Sequence, residues 1–162
     1  MPNVLIIYYS RTGTTKKLAA ALAEALSAEL VEIHCERYGP GLFRYLRAGY
    51  DSVMGNLPPI EMSQQLAVEY DLVVLGAPIW TSYPALPLRA FLADRPTLPA
   101  RIGLFLTCGG HSPPEKAVGE VEALLGHPVE VSFSLKSSEV RGDILKTAVD
   151  SFVVRLAGQA SA

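Results

Sequence analysis

The chain has 162 residues, enough to bury one proper core and few enough to suggest a single domain over 1–162. Lys and Arg total 14 against 16 Asp and Glu, and with no basic stripe visible this argues against nucleic acid as the main partner. Two cysteines far apart, Cys35 and Cys108, make a disulfide scaffold a poor fit and suit a reducing, cytoplasmic compartment. Met1-Pro2-Asn3 carries no basic region, so no secretory leader is expected, and no apolar run reaches membrane-spanning length, so no membrane partner is expected either.

Residues 4–9 (Val-Leu-Ile-Ile-Tyr-Tyr) form a short β-branched and aromatic run that suits a strand buried on both faces. From Lys16 to Leu26, Leu18, Ala21, Leu22, Ala25 and Leu26 share one helical face. Between the two lie Ser10, Arg11, Thr12, Gly13, Thr14 and Thr15. A strand-to-helix junction offers free backbone N–H groups at the positive end of a helix dipole, where an anion is stabilised. One hydroxyl is enough to cap a helix, whereas here four surround a glycine that permits close backbone approach. The junction therefore reads as an anion site built mostly from neutral donors, to which Arg11 and Lys16 either add charge or stay exposed.

Residues 30–35 alternate as an edge-like second strand, and Tyr38-Gly39-Pro40-Gly41 is a turn by composition. A helix from Leu42 to Met54 follows, with Leu42, Tyr45, Leu46, Gly49 and Val53 on one side and Gly55 to Pro59 as its stop. Phe43, Tyr45 and Tyr50 bring more aromatic surface than one stripe hides. Core contact is the expectation for this stripe, and the helix is where a homodimer contact would lie. Residues 71–76 read as a central third strand, 77–83 as a loop, and a helix is expected to start near Pro84. Residues 101–106 form a fourth strand closed by Thr107-Cys108-Gly109-Gly110-His111, and Ser112 to Glu115 opens a helix that stops at Gly126. A fifth strand over 129–135 and a last helix over 144–156 complete the chain, in which no internal repeat or linker is visible.

Strands alternating with helices predict an α/β fold: a doubly wound, five-stranded parallel sheet in the order 2-1-3-4-5, with helices on both faces. The loops 10–15, 76–83 and 107–111 then meet at the carboxyl edge, where the winding direction reverses and ligands bind. What those loops lack excludes several designs. No acidic residue ends the first strand, no Gly-Lys-Ser/Thr follows it, and the G-x-G-x-x-G and G-x-S-x-G patterns are absent. The Cys, His and acidic residues show no metal-ligand spacing.

Trp80, the only tryptophan, could plug the sheet end as core, but its loop position beside an anion site favours stacking on a flat heterocycle. Thr107, Cys108, Gly109 and Gly110 either offer N–H donors to the edge of such a ring or make a plain turn. Cys108, with no partner cysteine in reach by sequence, reads as a packing residue before a redox-active thiol, and His111 as a solvated loop residue before a proton donor.

The run YYSRTGTTKKLA with the Ala/Leu helix after it resembles the phosphate loop of flavodoxins; LGAPIWTSYP resembles their second flavin loop and LTCGGH their third. The segment FRYLRAGYDSVMGNLPPIE is similar to a group of small flavodoxin-like proteins of bacteria and archaea. The resemblance implies one non-covalent FMN. Its phosphate would be held by Ser10, Arg11, Thr12, Gly13, Thr14 and Thr15, and its ring bordered by Pro78, Ile79, Trp80 and Thr81 on one side and Thr107, Cys108, Gly109 and Gly110 on the other. Flavodoxins that carry electrons are strongly acidic, and a formal net charge of -2 departs from that. They also keep a glycine beside the ring, absent between Gly76 and the next helix, which points to two-electron turnover. The expected function is that of a cytoplasmic FMN-dependent oxidoreductase, with a small-molecule electron donor and small acceptors such as quinones. The alternatives are a flavodoxin-type carrier serving redox-partner proteins and a non-catalytic flavin-binding or interaction module.

Overall fold

The computed structural model describes residues 2–63, 66, 69–110 and 112–161. His111, a candidate from the sequence, lies outside the described residues. The elements are β1 (Val4–Tyr8), α1 (Thr14–Leu26), β2 (Glu29–His34), α2 (Leu42–Met54), β3 (Glu61–Met62), β4 (Leu72–Trp80), β5 (Tyr83–Pro84), α3 (Leu86–Ala93), β6 (Ile102–Cys108), α4 (Glu115–Leu125), β7 (Val131–Lys136) and α5 (Gly142–Ala160).

Alternation along the central strands explains why helices cover both faces. Val4, Ile6 and Tyr8 point to one side, where Leu18 and Leu22 of α1 pack with Phe152 and Leu156 of α5. Leu5 and Ile7 point to the other, beneath Leu88 and Phe91 of α3 and Ala117 and Val121 of α4. Both faces of β1 are therefore buried, which is why its sequence runs apolar without alternation.

The architecture is the expected α/β one with a mostly parallel sheet: its five parallel strands, β2-β1-β4-β6-β7, lie in the expected 2-1-3-4-5 order, but the whole sheet is not the five-stranded one expected. Among the described residues seven strands are present, in the order β3-β2-β1-β4-β6-β7 with β5 paired to β4 alone. The pairs β1–β2, β1–β4, β4–β6 and β6–β7 are parallel, whereas β3 and β5 are two-residue antiparallel additions to β2 and β4. Strands that short carry no periodic signal, so only their pairing reveals them.

Two further corrections affect the site. Residues 77–80 are not loop: β4 runs on to Trp80 and folds back through β5, and α3 starts at Leu86, two residues past Pro84, with Ala85 as its N-cap. The stripe of α2 expected in the core is exposed instead. Leu42 is 75% and Val53 70% exposed, while the buried residues of this helix are Ala48, Asp51 and Ser52. Among the described residues, no helix is long and apolar enough to cross a membrane.

Candidate functional site

The chain leaves β1 at Tyr8 and enters α1 at Thr14 through Gly13, whose φ of 97° lies in the region that glycine alone reaches without strain. No side chain caps α1. The Ser10 hydroxyl accepts from the Gly13 N–H (3.1 Å), so it shapes the loop. Neither Thr12 nor Thr14 acts as the N-cap, and the first-turn N–H groups face the cavity end of the helix without the satisfaction a cap would give. Lys16 turns away to Glu32, with Nζ 3.2 Å from Oε2. Arg11 reaches across to the start of α2: Nη2 donates to the Gly41 carbonyl at 3.2 Å, and the guanidinium lies over the Tyr45 ring, 5.3 Å from its centroid. Its Nε is buried with no hydrogen-bond partner among the described residues. A buried donor in that state is costly, and an anionic ligand would satisfy it.

β4 outruns β1. Tyr8 of β1 pairs with Gly76, and residues 77–80 run on past the end of β1, Ala77 and Pro78 still paired with β6 and Ile79 and Trp80 with β5. The β4–β5 hairpin turns at Thr81 and Ser82, both at positive φ (50° and 73°). Two such residues in succession suit the twist of a tight hairpin, where Asn and Gly are the usual occupants. The strain is offset by pinning to α2: Thr81 Oγ1 donates to Ser52 Oγ at 2.7 Å, and Ser52 Oγ donates to the Trp80 carbonyl at 3.0 Å. Trp80 meets Tyr9 and Tyr38 edge to face, with centroids 5.6 and 5.2 Å away. The indole is thus clamped against the core on two sides and lines the cavity with the remainder.

On the third side, the Thr107 hydroxyl is 2.8 Å from that of Thr15, both buried, which ties the end of β6 to the first turn of α1. Cys108 is buried, its thiol donating to the Gly110 carbonyl at 3.3 Å, and it is a free thiol.

α2 forms the outer wall, which sequence reasoning did not assign to the site. Tyr45, Leu46, Ala48, Gly49, Tyr50 and Val53 line the cavity, as do Ser112 and Ser137. The surplus of aromatic residues on this helix was the signal available. Its attachment is polar. The Asp51 carboxylate accepts from the Tyr38 phenol (2.8 Å) and the Asn56 amide (3.3 Å), with Arg37 and Arg47 both at 3.6 Å. Burial pushes the Asp51 carboxyl up, but these donors and charges outweigh it and hold it below its ordinary range. Burial raises the Tyr38 phenol, helped by the adjacent carboxylate, so it remains a neutral donor.

Together the walls enclose a cavity of about 850 Å³, within the range of small-molecule and cofactor sites. Of the residues expected there, Arg11, Thr12, Thr14, Thr15, Pro78, Ile79, Trp80, Thr81, Thr107, Cys108, Gly109 and Gly110 line it. Ser10 and Gly13 are not part of the lining and act through the loop's shape. One end is hydroxyl-rich with an uncapped helix; the other is aromatic and apolar. That polarity suits an elongated ligand with an anion at one end and a flat ring at the other.

No protein-family model and no curated protein matches the chain. Solved structures do match. A flavoprotein from Lactobacillus acidophilus NCFM, crystallised in complex with FMN, superposes with a TM-score of 0.74 at 23% identity, over 94% of this chain and 99% of that one. Oxidised flavodoxin 2 from Bacillus cereus gives 0.63 at 15% identity, over 97% and 99%. The apo form of an NADH:FMN oxidoreductase gives 0.56 at 23% identity, over 97% and 90%. With its parallel core strands, covering helices and carboxyl-edge cavity, the chain has the flavodoxin-like fold.

Proposed function

We propose that this chain binds FMN without a covalent bond and serves as an oxidoreductase that passes electrons from a reduced donor, such as a nicotinamide, to small acceptors such as quinones. The observation that carries the reading is the two-ended cavity. The uncapped start of α1 and the unpartnered Arg11 Nε fit a phosphate, and Trp80 with the β6 loop borders room for a flat ring. Residues 10–15 would hold the phosphate, and Pro78 to Thr81 and Thr107 to Gly110 would border the ring. When bound, FMN supplies the electron-transfer chemistry; the chain's own part is to orient it, exclude water and set local charge. Tyr9 stays a neutral phenol, since burial raises it well above its ordinary range, so the clamp on Trp80 does not change charge in the working pH range. The apolar α2 wall would offer a flat acceptor a surface beside the ring. The solved structures support the cofactor and the class of chemistry, since one holds FMN and another is named an NADH:FMN oxidoreductase. A formal net charge of -2 favours small acceptors over the protein partners that strongly acidic carriers use.

The test uses Trp80, the chain's single tryptophan, as the reporter. FMN added to the purified protein is expected to quench its fluorescence, with a Kd at micromolar level or tighter. The loaded protein is then expected to oxidise NADH or NADPH with a quinone as acceptor. A chain that refuses FMN at micromolar concentration overturns the cofactor assignment. One that binds FMN without turning over is a carrier or a binding module.

A further inference from the structure

Among the described residues nothing covers the outward face of α2. At 3.6 residues per turn, Leu42, Val53, Leu46, Tyr50, Phe43 and Met54 follow one another within about 120° of arc. Each is more than half exposed, from 59% at Met54 to 81% at Phe43. No charged residue interrupts them. Six large side chains exposed to this degree present roughly 800 Å² of mostly apolar surface, part of it shared with the cavity mouth through Leu46, Tyr50 and Val53, where monomers rarely show more than about 600 Å² and a standard interface needs roughly 800 Å² per partner. Surface helices normally turn such a stripe toward the core; this one turns Ala48, Asp51 and Ser52 inward instead.

We propose that a second copy of this chain covers this face, in an isologous dimer with α2 packed against α2. Three observations select a like partner. The face is uncharged, so apposing it to itself brings no like charges together. Gly49, beside Leu42 at the edge shared with the cavity wall, has nothing among the described residues within 4 Å of where a Cβ would sit, which leaves a notch for close helix approach. The arginines that would draw the helix to an anionic membrane are already engaged: Arg44 Nη1 donates to the Glu36 carbonyl at 3.0 Å, and Arg37 and Arg47 face Asp51. Leu46, Tyr50 and Val53 belong to both this face and the cavity wall, so the second copy borders the cavity mouth.

Sedimentation equilibrium of the full chain without added flavin tests this apart from the cofactor reading. Twice the protomer mass is expected at micromolar concentration. The double variant Leu42→Glu, Phe43→Glu changes two exposed residues outside the cavity lining and is expected to keep the same circular dichroism while its dimer Kd rises at least about 100-fold. A single-chain mass at every concentration overturns the proposal. So does a dimer that the double variant leaves intact, or a single-chain protein that floats with phosphatidylglycerol vesicles through the same two residues.

Discussion

Gly76 shows how much can rest on the absence of one side chain. It lies opposite Phe105 in the β4–β6 ladder, and a Cβ there would fall 2.0 Å from the Phe105 ring. Phe105 is fully buried in the α1–α5 cluster and has nowhere to move. Gly76→Ala is expected to cost about 1–3 kcal/mol, or to prevent folding, in a urea titration. Gly119→Ala, in α4 with open space around it, is expected to gain about 0.5–1 kcal/mol in the same measurement. Sequence inspection could tell Gly13 from its neighbours, because a lone glycine among hydroxyls at a strand–helix junction has a local meaning. The requirement at Gly76 is imposed by a residue on another strand, so no local pattern carries it. Thr81 and Ser82 are a similar case: their positive φ is supported by Ser52, far away in the chain.

At the level of elements, α2 depends on polar attachment more than on burial. Asp51→Ala removes the acceptor of two hydrogen bonds and the counter-charge of two arginines, and is expected to destabilise the chain by about 2 kcal/mol. The arginines are partly exposed and recover hydration, which keeps the loss from reaching that of a fully buried pair. The carboxyl titrates lower in the folded chain than its ordinary 3.8. Its stabilisation is therefore complete above that ordinary value and is lost as pH falls through the lower folded one. Acid unfolding of the parent chain should lose this contribution below about pH 4, and the Asp51→Ala variant should show a shallower dependence there. The bounds of α2 were legible from its period and its flanking glycines, whereas its orientation was not. Periodicity identifies the apolar face but does not say whether core, solvent or a second chain will meet it.

For the whole molecule, the cavity joins parts of the chain that only the completed sheet brings together. A ligand that binds this folded cavity and not the unfolded chain must stabilise the fold. FMN at about 100 times its Kd is expected to add about 2.7 kcal/mol. For a chain of this size that raises Tm by about 5–10 °C in a thermal melt, and an unchanged Tm would remove the case for a cofactor site. Inorganic phosphate is expected to give a smaller shift, since it fills only the α1 end.

The sequence by itself determined the α/β class, the main strands and helices, and the three segments that meet at the carboxyl edge. Each is written locally, in apolar runs, 3.6-residue spacing and glycine placement, and parallel connection rules leave few ways to assemble them. Tertiary structure alone decided the two short antiparallel strands, the extension of β4 to Trp80, the clamp of Tyr9 and Tyr38 on the indole, and the turning of the α2 stripe outward. These depend on contacts between residues distant in sequence. In α2 a buried carboxylate with its own donors decided which side faces in, and hydrophobic pattern could not anticipate that choice.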